Sequence, residues 1–245
     1  MRKIAAVTFD LWDTLVQEYP GGADKVAGLR VSKIGSILAE RGMTHSSDEI
    51  MAAYRKTGYF LELTWSKKRD MPVRDQVLFM LSSIDDKLLG KLNRDGLEQI
   101  EKAYIEGILD NPPMLLPGAK EALGTVRSKG YKIGLISNTG RTPGIVLRKV
   151  MENLGILEYF DTTTFSNETL VRKPAESAFR ATLDKLKVAP KSAVHVGDDA
   201  EGDIAGAKRA GMRAIQIVAP GARKSNLADD YARTLDEIAD KLERL

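Results

Sequence analysis

Lys3-Ile4-Ala5-Ala6-Val7-Thr8-Phe9-Asp10-Leu11-Trp12-Asp13-Thr14-Leu15 decides how the rest of the chain is read. Its first half is a short apolar run with β-branched residues, the pattern of a strand buried on both faces. The run stops at a carboxylate and then a Thr, with no Gly or Pro to make an ordinary turn. A carboxylate at the carboxyl end of a core parallel strand projects into the crevice where open α/β sheets bind ligands. A solvated strand-end Asp would look the same locally, so Asp10 acquires meaning only from three polar clusters downstream.

Working outward, the chain changes character after Leu15-Val16. Gln17 to Gly22 reads as a connector, and from about Ala23 to Leu109 the apolar spacing is helical throughout. Ser46-Ser47-Asp48-Glu49 has the form of a capped helix start, and Pro72 suits the beginning of another. Asp110-Asn111-Pro112-Pro113 breaks the pattern. Strands then alternate with helices: strands over 131–136, 162–165, 193–196 and 213–218, helices over 144–154, 175–186, 203–210 and 235–245. Such alternation predicts a doubly wound, mostly parallel α/β sheet, a Rossmann-like core over 1–16 and 114–245. Residues 17–113 are expected to form an inserted all-helical domain.

Composition narrows the function. Of 245 residues, 43% are hydrophobic and 29% charged, as in ordinary globular proteins. A net charge of +3 gives no argument for nucleic acid. The absence of Cys excludes thiolate chemistry, and two His residues, His45 and His195, are too few for a histidine-built zinc site. Both are read as structural. With no membrane-length apolar run and no signal peptide, a cytoplasmic protein without membrane partners is expected.

Three clusters follow apolar strands. Ser137-Asn138-Thr139-Gly140 offers a hydroxyl and backbone N–H groups suited to phosphate oxygens, though a plain turn has the same composition. Lys173 precedes Pro174 near a helix start, where a cation opposes the helix dipole unless an anion is close. In Gly197-Asp198-Asp199-Ala200-Glu201-Gly202-Asp203, four carboxylates fall within six positions. They repel one another unless a cation is bound, and oxygen-only ligands select a hard ion, Mg²⁺ before Ca²⁺. A helix-capping acidic loop with Asp203 as N-cap explains Asp203, but not Asp198 and Asp199.

The order Asp-x-x-x-Thr, Ser-Asn-Thr, Arg-Lys-Pro and Gly-Asp-Asp-x-x-x-Asp resembles the haloacid dehalogenase-like (HAD) hydrolase superfamily. The resemblance covers 3–15 and 116–218, and the helical insert is similar to that family's first class of cap. It implies that Asp10 attacks phosphorus to form an aspartyl-phosphate, and that Ser137 and Asn138 bind the phosphoryl oxygens. Lys173 would neutralise developing charge, and Thr14 would fix the loop after the strand. Mg²⁺ would be held by Asp10, the backbone carbonyl of Trp12 and Asp198, with Asp199 and Asp203 close by.

One position departs from the pattern. Phosphatases of the family carry a second Asp two residues after the nucleophile, as general acid and base, where this chain has Trp12. Asp13, one place on, is the candidate substitute; such a group contributes roughly 10²–10⁴-fold. An aromatic residue here is similar to the metal-independent 2-haloacid dehalogenases, which lack the acidic pair of the fourth motif. The expectation is a Mg²⁺-dependent phosphatase for a small phosphorylated metabolite, working as a monomer or homodimer. The rivals are a 2-haloacid dehalogenase and a phosphate-binding protein without turnover. Trp65, beside Lys67, Lys68 and Arg69, is a candidate substrate contact, as is Trp12; a solvated basic helix end is the plainer reading of the former.

Overall fold

The computed structural model describes residues 4–245, so residues 1–3 of the expected strand and core lie outside the described residues. Among the described residues the strands are β1 Ala6–Phe9, β2 Val16–Gln17, β3 Met114–Leu115, β4 Lys132–Ser137, β5 Thr162–Phe165, β6 Ala193–Gly197, β7 Arg213–Ile217 and β8 Asp230–Ala232. Six form one sheet in the order β5-β4-β1-β6-β7-β8, every neighbouring pair parallel. The chain runs outward from β1 through β4 to β5, then crosses to β6 and continues to β8. The strand order therefore reverses at β1, and the crevice beyond its carboxyl end is where such sheets hold ligands. The doubly wound α/β fold expected from the alternation is present.

Burial explains why these runs became strands. Every residue of β1 and β6 is buried, and all but the first of β4. Val7 sits in register with Ile133 on one side and Val194 on the other. A central parallel strand has no wet face, so a continuous apolar run is the sequence it needs.

The helices are α1 Gly22–Ala39, α2 Ser47–Trp65, α3 Val73–Ile84, α4 Leu88–Lys91, α5 Arg94–Glu106, α6 Ala119–Ser128, α7 Gly144–Asn153, α8 Ser166–Thr169, α9 Glu176–Leu186, α10 Gly206–Arg209 and α11 Ile238–Arg244. The expected helix over 203–210 is divided: a wide π-type turn, Ala200–Ala205, precedes α10.

The chain packs as two compact units. One comprises the N-terminal segment up to Gln17, Met114–Asn138 and Met151–Leu245; the other comprises Glu18–Pro113 and Thr139–Val150. The second unit is helical, with Ile34, Leu38, Ile50, Val77, Leu81, Ile100 and Tyr104 in its buried core. Its α2 begins with the capping box anticipated from the sequence: Glu49 N–H donates to Ser46 Oγ, and Ser46 N–H to Glu49 Oε2.

Thr139–Val150 groups with the helices, although the sequence expectation placed all of 114–245 in the sheet domain. The reason is polar. Thr139 Oγ1 donates to Asp70, Arg141 to the Tyr54 carbonyl, and Thr142 accepts from Arg30.

Candidate active site

Asp10 leaves the end of β1, with its N–H still laddered to Val196 O in β6 at 2.9 Å. The next residues fold tightly back: the N–H groups of Leu15 and Val16 both donate to Leu11 O, and Asp13 N–H donates to Val16 O. Asp13, at the exposed tip, has φ 55°. Asp is among the few residues that adopt this left-handed conformation routinely. Thr14 is fully buried, and its hydroxyl donates to Asp198 Oδ1 at 3.3 Å. The loop after β1 is thereby tied to the loop after β6. Trp12 is half-buried in the same loop.

Lys173 brings the motifs together. Its Nζ lies 2.5 Å from Asp10 Oδ1 and 2.6 Å from Asp203 Oδ1, with all three residues buried. A reciprocal pair positions its backbone: Lys173 N–H donates to Asn138 Oδ1 at 2.9 Å, and Asn138 Nδ2 donates to Lys173 O at 3.1 Å. Asn138 follows β4 directly, so the end of one strand fixes where the lysine enters. Ser137, the last residue of β4, is buried, with its Oγ 3.4 Å from Asn138 O.

Behind the lysine runs a buried chain of polar groups. Asp203 Oδ1 lies 3.2 Å from His195 Nε2, and His195 Nδ1 lies 2.8 Å from Thr8 Oγ1. A neutral ring that donates from Nε2 to the carboxylate accepts at Nδ1, so Thr8 is the donor. Asp203 Oδ2 accepts from Asp199 N–H at 3.0 Å. Gly197 makes this approach possible, because a Cβ there would collide with the Asp203 carboxyl carbon.

The acidic loop divides its work differently from the sequence expectation. Asp10, Asp198 and Asp203 have carboxylate oxygens within 4.8 Å of one another. Asp199 does not join them. Its side chain accepts from the N–H groups of Glu201 and Gly202 and so caps the π-type turn, the role that the plainer reading of the loop gave to Asp203.

Trp65 belongs to the helical unit, where its indole N–H donates to Asp70 at 3.3 Å. Asp70, a buried carboxylate that the sequence reading passed over, also accepts from Thr139 Oγ1 at 3.1 Å. Thr8 and Gln216 were passed over too. Gln216 Nε2 donates to Asp198 O at 3.0 Å and to Arg223 O at 3.1 Å, holding the metal-candidate loop. A Gln inside the apolar run Arg213-Ala-Ile-Gln-Ile217 was the available signal, since buried polar side chains are normally there to make such bonds.

Burial pushes the Asp10 carboxyl up to about 7, with Lys173 opposing and Asp203 adding to the rise. Burial likewise raises Asp198 to about 6, helped by Asp203 and Asp13. Asp203 also feels burial upward, but Lys173 and His195 outweigh it and hold its carboxyl below the usual range. For Lys173 the burial cost is overcome by Asp10 and Asp203, which keep the ammonium charged. Burial depresses His195, leaving the ring neutral near pH 7.

Lys173 thus bridges Asp10 and Asp203, with the Asp198 carboxylate grouped beside theirs, at the reversal point of a doubly wound sheet. The family model described as "Hydrolase: haloacid dehalogenase-like hydrolase" matches residues 4–211, and the chain belongs to this family. Among curated relatives, the ribulose-1,5-bisphosphate 5-phosphatase of Halopiger xanaduensis is 35% identical over 148 residues, 56% of this chain and 59% of that protein. The chain thus spans about three fifths of that relative's length. Phosphoglycolate phosphatase of Escherichia coli O157:H7 is 25% identical over 87% of this chain and 81% of its own. Among solved structures, a HAD phosphatase from Thermococcus onnurineus superposes with a TM-score of 0.63 at 27% identity, covering 98% of both chains. The 2-haloacid dehalogenase of Pseudomonas syringae shares the fold, with a TM-score of 0.71 at 24% identity over 98% of this chain and 99% of its own. Among the described residues no helix is long and apolar enough to cross a membrane.

Proposed function

We propose that the protein is a Mg²⁺-dependent phosphatase acting on a small phosphorylated metabolite. The observation that carries this reading is the grouping of charge: the carboxylates of Asp10, Asp198 and Asp203 lie together, and Lys173 is the one ammonium bonded within the group. With all three ionised, two negative charges would be left over, and Asp10 and Asp203 are buried while Asp198 is partly so. That donor set fits a hard divalent cation, which Asp10, Asp198 and the backbone carbonyl of Trp12 would hold. Asp203 already spends its oxygens on Lys173, His195 and the Asp199 N–H, so its part is to position the lysine. When bound, the cation offsets the repulsion between an anionic carboxylate and an anionic phosphate.

In this reading Asp10 attacks phosphorus in line and becomes the aspartyl-phosphate, and water then hydrolyses it. Its raised pKa makes the reactive carboxylate the majority form only above about pH 7 in the metal-free site. Lys173 holds the attacking oxygen in place and balances charge on the transferred group. Ser137 and Asn138 bind phosphoryl oxygens at the end of β4, and Thr14 keeps the catalytic loop closed against Asp198. Asp13 protonates the leaving oxygen in place of the residue that Trp12 replaces. In this reading the helical residues 17–113 select the substrate and the segments 1–16 and 114–245, apart from 139–150, carry the chemistry, with Trp12 and Trp65 as candidate contacts.

The phosphatases among the relatives support this reading. Trp12 favours a second one, a metal-independent 2-haloacid dehalogenase. Hydrolysis of p-nitrophenyl phosphate, with and without Mg²⁺, separates them. Turnover that requires the metal supports the phosphatase, whereas chloride release from 2-chloropropionate in EDTA refutes it. Neither activity, with orthophosphate still bound, would leave a binding protein.

A further inference from the structure

We propose that the helical unit carries its own anion-binding site, built by Arg30 and Arg141 around Tyr54 and suited to a carboxylate or phosphate group. Arg30, in α1, is 5% exposed; Nη1 donates to the Tyr54 hydroxyl at 2.9 Å and Nη2 to Thr142 Oγ1 at 2.7 Å. Arg141 lies flat on the same tyrosine, its Cζ 3.9 Å from the ring centroid, and Nη2 donates to Tyr54 O at 2.9 Å. Every one of these partners is neutral. Among the described residues no carboxylate pairs with either guanidinium, although Arg41, Arg94, Arg127 and Arg209 each find one.

Two positive charges therefore meet at one side chain without a counter-charge, and burial makes that arrangement costly. The buried Nε atoms of both arginines also lack an acceptor. A clamp tying Thr139–Val150 to α1 and α2 would need the neutral contacts, but neither the two charges nor the two unsatisfied donors. An arriving carboxylate or phosphate supplies what is missing, since the guanidinium fork matches both groups.

The backbone has been cut to fit the two side chains. Gly58 lies inside α2, where glycine is a poor choice, yet a Cβ there would stand 2.8 Å from Arg141 Nη2. At Gly107 a Cβ would stand 2.6 Å from Arg30 Cγ.

The anion has two possible sources: the far end of the molecule being hydrolysed, or a separate small ion. Arg141 follows Ser137 by four residues, so the first is tested by kinetics and the second by binding. Mg²⁺-loaded wild type, Arg141→Met, Arg141→Lys and Gly58→Ala are assayed with propyl phosphate and with 3-(phosphonooxy)propanoate, which differ by one carboxylate. The same proteins are titrated calorimetrically with succinate, and circular dichroism confirms their folding. A wild-type kcat/KM ratio of at least tenfold for the carboxylate ester, falling toward one in Arg141→Met and partly restored in Arg141→Lys, identifies the substrate's own end. Succinate binding that weakens at least tenfold in Arg141→Met, with an ester ratio near one, identifies a separate anion. Gly58→Ala keeps the charge but crowds it, and is expected to reduce whichever signal is seen by severalfold. The proposal is overturned if the wild type shows neither preference nor succinate binding, or if Arg141→Met changes both by less than twofold. Should neither ester be hydrolysed, the succinate titration alone decides the anion site, and p-nitrophenyl phosphate with Mg²⁺ separately decides the phosphatase reading on which the kinetic arm rests.

Discussion

Asp203 holds Lys173: their charged atoms lie 2.6 Å apart, the carboxylate 1% and the ammonium-bearing side chain 4% exposed. Lys173 in turn reaches Asp10 at 2.5 Å, so Asp203, for which a helix cap was the plainer reading, anchors the ammonium beside Asp10. Removing one member of a buried pair leaves the other uncompensated, at a cost of about 3–5 kcal/mol. Asp203→Asn is expected to lower stability by about 3 kcal/mol in urea unfolding, and kcat by at least about 10²-fold. Its effect on stability also has a sign with pH. Because the folded-state pKa of Asp203 is depressed, its contribution is full above the ordinary 3.8 and is lost as pH falls below it. The variant therefore differs least from wild type in acid. A difference that grows below pH 4 would contradict this.

Metal binding should be linked to protons. Asp10, at about 7, and Asp198, at about 6, must be deprotonated to act as ligands. Mg²⁺ affinity is expected to climb with pH through 5 to 7, by up to about tenfold per unit for each proton released, and to level off above pH 8. Calorimetry at pH 6 in buffers of different ionisation enthalpy reads the released protons directly. Equal heats in all buffers would show that the two carboxylates are already ionised.

Asp199 offers the cleanest test of how the acidic loop divides its work. As a cap of the π-type turn it is worth about 1 kcal/mol, so Asp199→Ala should lose that much stability. The Mg²⁺ activation midpoint should shift less than about threefold. A shift of tenfold or more, with stability intact, would make Asp199 a ligand after all.

At Asp13 the position is exposed and left-handed, and Asn tolerates both conditions. Asp13→Asn should therefore fold normally while losing about 10²-fold or more in kcat on an alkyl phosphate. The loss should be smaller on p-nitrophenyl phosphate, whose leaving group is a weak base. Equal and slight effects on both substrates would mean that another group protonates the leaving oxygen.

Much of the architecture was legible because hydrophobic periodicity is a local signal. The runs at Ala6–Phe9, Ile133–Ile136 and Ala193–Gly197 are largely apolar for the same reason that they are central: they have no wet face. Short elements escaped. The three-residue strand Asp230–Ala232 and the two-residue pair Val16–Gln17 and Met114–Leu115 are too brief to show any period. Thr139–Val150 escaped for another reason. Its side with the helices is decided by Thr139, Arg141 and Thr142 bonding to Asp70, Tyr54 and Arg30, residues 69 or more positions away.

By itself the sequence determined a doubly wound sheet and the strand ends that carry Asp10, Ser137 and Asp198, since a buried strand announces itself over a few consecutive residues. Only the tertiary structure decided where each of two nearby acids points. Asp199 and Asp203 are chemically identical, and the π-type turn between them aims one at backbone N–H groups and the other at Lys173 and His195. Direction of that kind comes from partners contributed by distant segments, and no local pattern encodes them.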